Sequence, residues 1–489
     1  MKTSRVLAFT SVLFLVQALA GFTHAAAPFV VKDINPGDAN SFPSDLINVN
    51  GALFFTANDG THGSELWASD GTRAGTVMVK DIWPGSTGSS PAELTDVNGT
   101  LFFTADDGTH GPELWKSDGT EIGTVMIKDI NAGSGDSQPY DLTDSNATLF
   151  FVADHGTHGP ELWKSDGSET GTVMVKDIWP GSETFVYPTY LTDVNGTLFF
   201  VADDSNGQGL WKSSGTEETT VIVSQNPDVW GHENLRNAMG TLFFVAEDSA
   251  HARELWKSDG TDVGTAMVKD INPGGSGAGA FETGQDPHTI TAVGGTLFFR
   301  DEGYTRTLWK SDGTEVGTVM VKDCSMPRYL SNASGTLFFT ASDPCEPANR
   351  LWKSDGTEEG TVMVTSIGTN PGPVTDVNGT LFFEDNTVDT GYELWQTDGT
   401  PEGTVMVKDL NPGSADSNPG YLTNLNGALL FSATDGTYGT ELWIYVDWSC
   451  SEAIPGDVNN DCKVDFTDFA AMASNWLNCN RHPDYLCGL

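Results

Sequence analysis

Cationic side chains are scarce in this sequence: 24 Lys and Arg stand against 67 Asp and Glu, a formal net charge of -43 over 489 residues. Such a surface repels a phosphate backbone, which excludes nucleic acid as a partner, and it repels an anionic bilayer equally. Long apolar runs are scarce too. One spans residues 6–19, too short to cross a bilayer comfortably, and no later segment is long and apolar enough. The six cysteines include no Cys-x-x-Cys pair, so paired zinc-thiolate and redox motifs are missing. No 3.6-residue periodicity runs through the bulk of the chain, which excludes a helical solenoid. Glycine (55) and proline (23) are too few for collagen, while 14 Trp and 26 Phe can fill a large core and exclude a disordered chain.

What is present begins with an address. Lys2 and Arg5 precede the apolar run and small residues follow it, the layout of a secretory signal with cleavage after Ala20 or Ala25. Residues 1–25 are therefore read as a signal peptide, and the protein as secreted, extracellular or at a cell surface. In an exported chain the cysteines predict disulfides. Cys324 and Cys345 form one expected pair, and Cys450, Cys462, Cys479 and Cys487 form a second group whose connectivity spacing does not fix.

Repetition dominates the rest. Leu-Phe-Phe begins at residues 53, 101, 149, 198, 242, 297, 337 and 381, and Leu429-Leu430-Phe431 is a ninth variant. Each is followed by a Leu-Trp pair, with Trp at 67, 115, 163, 211, 256, 309, 352, 395 and 443. In the second copy, 94–98, 100–105, 113–116 and 125–129 read as four short strands separated by Asn-Gly and Asp-Gly turns. Four antiparallel strands per roughly 48 residues is the arithmetic of a propeller blade. The fold class is therefore all-β, a β-propeller of about nine four-stranded blades over residues 26–447. Its phase adds a detail. The fourth-strand sequence Val30-Val31-Lys32-Asp33 precedes the first Leu-Phe-Phe, and nothing like it follows Trp443, so residues 29–34 are expected to complete the ninth blade. Closure of that kind removes exposed strand edges.

The repeated Glu-Leu-Trp-Lys-Ser-Asp-Gly-Thr-Glu-x-Gly-Thr resembles the ELWxxDGT repeat family of bacterial exported proteins, and the blade layout is similar to kelch propellers. The resemblance covers nearly all of 29–446 and implies an exported repeat protein, with little about its role. The nine serial Trp are expected in the core between blades; Trp83 and Trp179, in matching loops, are expected to be exposed, either as contact residues or simply as loop packing.

Catalytic signals are thin. Residues that recur in every blade are scaffold by default, and no Ser-His-Asp set, phosphate loop or zinc helix is visible. His62, His110 and His158 recur every 48 residues in Gly-Thr-His-Gly turns and are read as turn residues. The irregular copies carry His232, Arg236, His288 and Arg328, where a polysaccharide-active hydrolase or lyase would have to keep its chemistry.

The last forty residues differ in kind. Asp457, Asn459, Asp461, Asp465 and Asp468 fall at loop positions 1, 3, 5, 9 and 12, with Lys463 offering its backbone carbonyl at position 7. That is the oxygen spacing of an EF-hand-type calcium loop, although Asp468 replaces the usual Glu and Cys462 the usual Gly. Phe469, Met472 and Trp476 then share one face of an expected helix. The stretch 448–489 resembles one half of a type I dockerin, which implies calcium as cofactor and a cohesin-like protein or cell-surface component as partner. The combined expectation is a monomeric, non-enzymatic binding or scaffold protein attached to a cell-surface or polysaccharide-degrading assembly. The alternatives are a polysaccharide-active enzyme carrying the same tag, and a structural surface-layer component.

Overall fold

The computed structural model describes residues 27–446, except 158, 181–186, 225–228, 252, 272–289, 302–306, 324, 344–345 and 366–367. Residues 30–443 make one compact unit; residues 1–29 and 444–489 group separately, and of these only 27–29 and 444–446 are described.

The second copy shows why each repeat becomes a blade. Ala92–Val97, Thr100–Asp106, Pro112–Ser117 and Val125–Lys128 are its four strands, antiparallel in sequence order. Asn98 and Gly99 take φ values of 52° and 82°, the left-handed pair that a tight hairpin demands. In the next turn the Asp106 carboxylate accepts from the Gly108 amide at 2.7 Å and Asp107 from the Thr109 amide at 2.9 Å. The Asp118-Gly119-Thr120 turn is held likewise, Asp118 accepting from the Thr120 amide and hydroxyl.

Nine such four-stranded sheets form a β-propeller. Their residues are 44–80, 92–128, 140–176, 189–222, 229–269, 290–322, 325–363 and 375–408 for blades 1 to 8. The ninth sheet runs in the order Phe29–Lys32, Glu441–Tyr445, Ala428–Ala433, Gly420–Leu425. First strands of neighbouring blades lie against one another, so they line the ring axis, and Ser44–Val49 of blade 1 packs on Gly420–Leu425 of blade 9.

The core lies between blades. Val49, Phe54, Leu66 and Val79 of blade 1 enclose, with Leu101, Phe103 and Trp115 of blade 2, one such cluster, and the pattern recurs around the ring. The serial Trp are buried as expected, Trp309 less completely than its counterparts. Several donate through Nε1 to a carbonyl of their own blade, as Trp115 does to Ala105 at 3.0 Å. Lysines fasten blade to blade. Lys80 donates to the Thr124 carbonyl at 2.8 Å with its ammonium 5.8 Å from the Trp115 ring centroid, and Lys32 and Lys128 repeat the contact.

Two expectations are corrected. Trp83 and Trp179 are half-buried: Trp83 lies over Gly108 of the next blade and Trp179 packs on the blade 3–4 core, so they fill loops. The expected disulfides are not found: no disulfide occurs among the described residues, and all six cysteines lie outside them. Between Cys324 and Cys345 the described strands pair from Ser325 opposite Ser342 to Ala333 opposite Thr336.

Candidate functional site

The predicted calcium ligands Asp457, Asn459, Asp461, Lys463, Asp465 and Asp468 lie outside the described residues, as do His158 and His288. Among the described residues no group of three or more His, Cys, Asp or Glu is placed to hold a metal ion. The turn histidines behave as turn residues: His62 Nδ1 meets Asp59 Oδ2 at 2.8 Å and His110 meets Asp107 at the same distance. These hydrogen bonds hold both histidines above their ordinary pKa.

One recurring group escaped sequence reasoning. The Glu that precedes Leu-Trp in six of the nine copies (Glu65, Glu113, Glu161, Glu254, Glu393 and Glu441) is buried and accepts from the loop that leads to the next blade. Glu113 accepts from the amides of Ile130 (3.1 Å) and Asn131 (3.4 Å) and from the Ser137 hydroxyl (2.6 Å). Glu65, Glu393 and Glu441 do the same in their blades. Burial pushes Glu113 and Glu441 up to about 7 and Glu161 to about 8, against the pull of these donors. The recurrence of Glu in phase, with Ser 24 residues later, was the available signal.

Several groups that do not recur lie on the first strands. Each of these strands in blades 1–5, 7 and 9 carries a β-bulge, as where Ala92 opposes Thr104 but Thr95 opposes Phe102. At the bulge a non-glycine residue takes a left-handed φ of 52–59°: Asp45, Glu93, Asp141, Tyr190, Asn234, Tyr329 and Tyr421. Bulges re-aim side chains, and here they fall on the strands that lie against one another around the ring. The bulge carboxylates of blades 2 and 3 relay along the ring. Glu93 Oε2 accepts from the Asp141 amide at 3.0 Å, and Asp141 Oδ2 accepts from the Leu191 amide at 3.0 Å. Burial raises the Asp141 pKa, opposed by the Leu191 amide.

In blades 4 and 5 the relay gives way to aromatic and cationic groups. Tyr190 occupies the blade 4 bulge. Arg236 of blade 5 stands where blades 2, 3, 4 and 9 have Thr95, Thr143, Thr192 and Thr423. Burial lowers the Arg236 pKa, and Asp141 and Tyr190 counter it, so the guanidinium lies within electrostatic reach of both. Arg253 Nη2 pairs with Glu233 Oε1 at 2.7 Å. His232 fills the position that is proline at residues 43, 91, 139, 188, 327 and 419. It is 5 % exposed, stacks on Phe244 at 5.6 Å and has no partner for Nδ1; burial pushes it down to about 4. Sequence reasoning singled out His232, Arg236 and Arg328. The structure brings the first two together in one blade and places Arg328 on blade 7, against Thr340.

No family model matches the chain, and no curated protein matches it. Solved structures do. A prolyl endopeptidase overlaps at a TM-score of 0.41 and 10% identity, covering 70% of this chain and 54% of its own. A puromycin hydrolase overlaps at 0.40 and 12% identity, covering 82% and 60%. A puromycin-hydrolyzing peptidase of Mycobacterium tuberculosis overlaps at 0.39 and 10% identity, covering 74% and 61%. The chain thus spans 54–61% of the length of these structures, and overlaps of this size assign no activity.

Proposed function

We propose that this protein is a secreted binding scaffold: the propeller holds a ligand on its axial strands, and the C-terminal segment attaches the whole by a calcium-dependent module. One observation carries the reading. Side chains that recur from blade to blade (Glu113, Lys80, Trp115, Asp118 and their counterparts) are engaged in holding blades and loops together. By contrast, several unmatched side chains, His232, Glu233 and Arg236 among them, and the exposed Tyr190 and Tyr421 lie on the first strands. Residues 29–34 serve as the clasp of the ring, with the Ile34 and Asn35 amides donating to Glu441 at 2.9 and 3.3 Å.

Two assays test this. Polysaccharides in an affinity gel, with reducing ends measured in parallel, separate retention without cleavage from the hydrolase or lyase alternative, which predicts product release. Calorimetric titration of calcium into the full chain and into Asp457→Ala/Asp468→Ala addresses the attachment loop. One site lost in the variant supports it, and unchanged binding refutes it. A cohesin-like partner is then sought with calcium present and removed.

A further inference from the structure

The reading of the propeller as a binding scaffold leaves open what it binds and where. Repeat symmetry helps, because a position that holds one residue type in most blades and departs in a single sector has been released from the scaffold role there. Blades 3–5 hold several such departures on adjacent strands. His232 breaks a proline series, Arg236 breaks a threonine series, and Glu233 and Arg253 form an ion pair at 2.7 Å. The same sector presents two aromatic side chains three residues apart on one strand approach, Tyr187 at 52% and Tyr190 at 37% exposure. Their neighbours are polar: Asp141, Glu233, Arg236 and Arg253 all act electrostatically on Tyr190.

We propose that the axial strands of blades 3–5 form a subsite for a neutral glycan, with Tyr190 as the ring on which a pyranose stacks and Asp141, Glu233 and Arg236 as partners for its hydroxyl groups. An aromatic body with a polar tip suits the apolar C–H face of a sugar bounded by hydroxyls. Carboxylate and guanidinium groups present paired acceptors and paired donors that adjacent hydroxyls match. The glycan is neutral because Arg253 is already paired with Glu233 at 2.7 Å, and the Asp141 carboxylate lies within electrostatic reach of Arg236, inside a chain of net charge -43. A uronate would meet uncompensated repulsion. Tyr421 on blade 9 is also exposed, at 53%, yet its blade has no arginine. It is therefore the internal control.

The test is calorimetric titration of the full chain with cello-, xylo- and mannohexaose and with an oligogalacturonate. At least one neutral hexasaccharide binds, and Tyr190→Ala weakens it tenfold or more, a change of about 1.4 kcal/mol. Tyr190→Phe stays within about threefold, since the ring remains. Tyr421→Ala leaves binding unchanged, and circular dichroism establishes that each variant folds. Equal losses in Tyr190→Ala and Tyr421→Ala, or oligogalacturonate binding as tightly as the neutral sugars, overturn the assignment while leaving a binding scaffold. Release of shortened products overturns the scaffold reading itself.

Discussion

Asn426 of the ninth blade donates through Nδ2 to the carbonyl of Gly51 in the first, at 3.0 Å. The same bond joins Asn50 to Gly99 and Asn195 to Gly240, both at 3.1 Å, so the junction between last and first blades is built like the others. Thr423 to the Leu46 carbonyl, at 3.3 Å, repeats the Thr143 to Leu191 contact in the same way. Asn426→Ala should therefore cost about 1 kcal/mol, the same as Asn50→Ala. Urea unfolding of the two variants checks it, and a much smaller effect at Asn426 would mean that the ring is open there.

Glu441 accepts from the Ile34 amide and the Ser41 hydroxyl across some four hundred residues of chain. Glu441→Ala leaves these donors buried without partners and should destabilise by about 2–4 kcal/mol. Glu113→Ala should cost a similar amount, because it strips Ile130, Asn131 and Ser137 of the same acceptor. Denaturant midpoints at constant slope read both.

Stability should fall as pH rises from 5.5 to 8.5. Glu113, Glu161 and Glu441 carry folded-state pKa values of about 7, 8 and 7, above the ordinary carboxylate value near 4.3. Between these limits the native state holds protons that the unfolded chain has released. Their stabilising contribution is complete below the unfolded value and lost as pH passes through 7–8. His62, His110 and His251, raised by their Asp partners, act in the same direction. His232, pushed down to about 4, opposes them only as pH falls below its unfolded value. Melting temperatures across the range check the slope, and Glu113→Gln should flatten it. A melting temperature that climbs toward pH 8.5 contradicts the account.

Gly119 has a φ of +86°, and a Cβ there would sit 3.3 Å from Phe54 Cζ of the preceding blade. Gly119→Ala combines a left-handed backbone with that contact and should cost about 1–2 kcal/mol. Gly133, at φ +102° with nothing within 4 Å, isolates the backbone part and should cost less. Thermal melts of the pair separate strain from contact.

The blades were legible because their signals are local. Leu-Phe-Phe, Leu-Trp and the Asn-Gly and Asp-Gly turns each act within a few residues, and the strands of the second blade fall within two residues of where the pattern puts them. The axial bulges were not legible. The left-handed φ of Glu93 and Tyr190 falls where the register with the second strand shifts, a pairing feature that leaves little local trace beyond the preceding proline. The Glu anchors lay in plain view of the repeat, but among 67 acidic residues their role emerges only when the loop they hold is placed. Trp83 misled for a related reason: its loop folds back over Gly108, and no sequence pattern records that approach.

The division between recurring and unmatched side chains is tested most directly by one paired measurement. For Glu113→Gln and Tyr190→Ala, the melting temperature and the dissociation constant for the hexasaccharide the wild-type chain holds best are determined side by side. Glu113→Gln should lower the melting temperature by several degrees and leave the dissociation constant within about twofold. Tyr190→Ala should weaken binding tenfold or more at a nearly unchanged melting temperature. The reverse pattern, with ligand lost in Glu113→Gln and retained in Tyr190→Ala, would contradict the account.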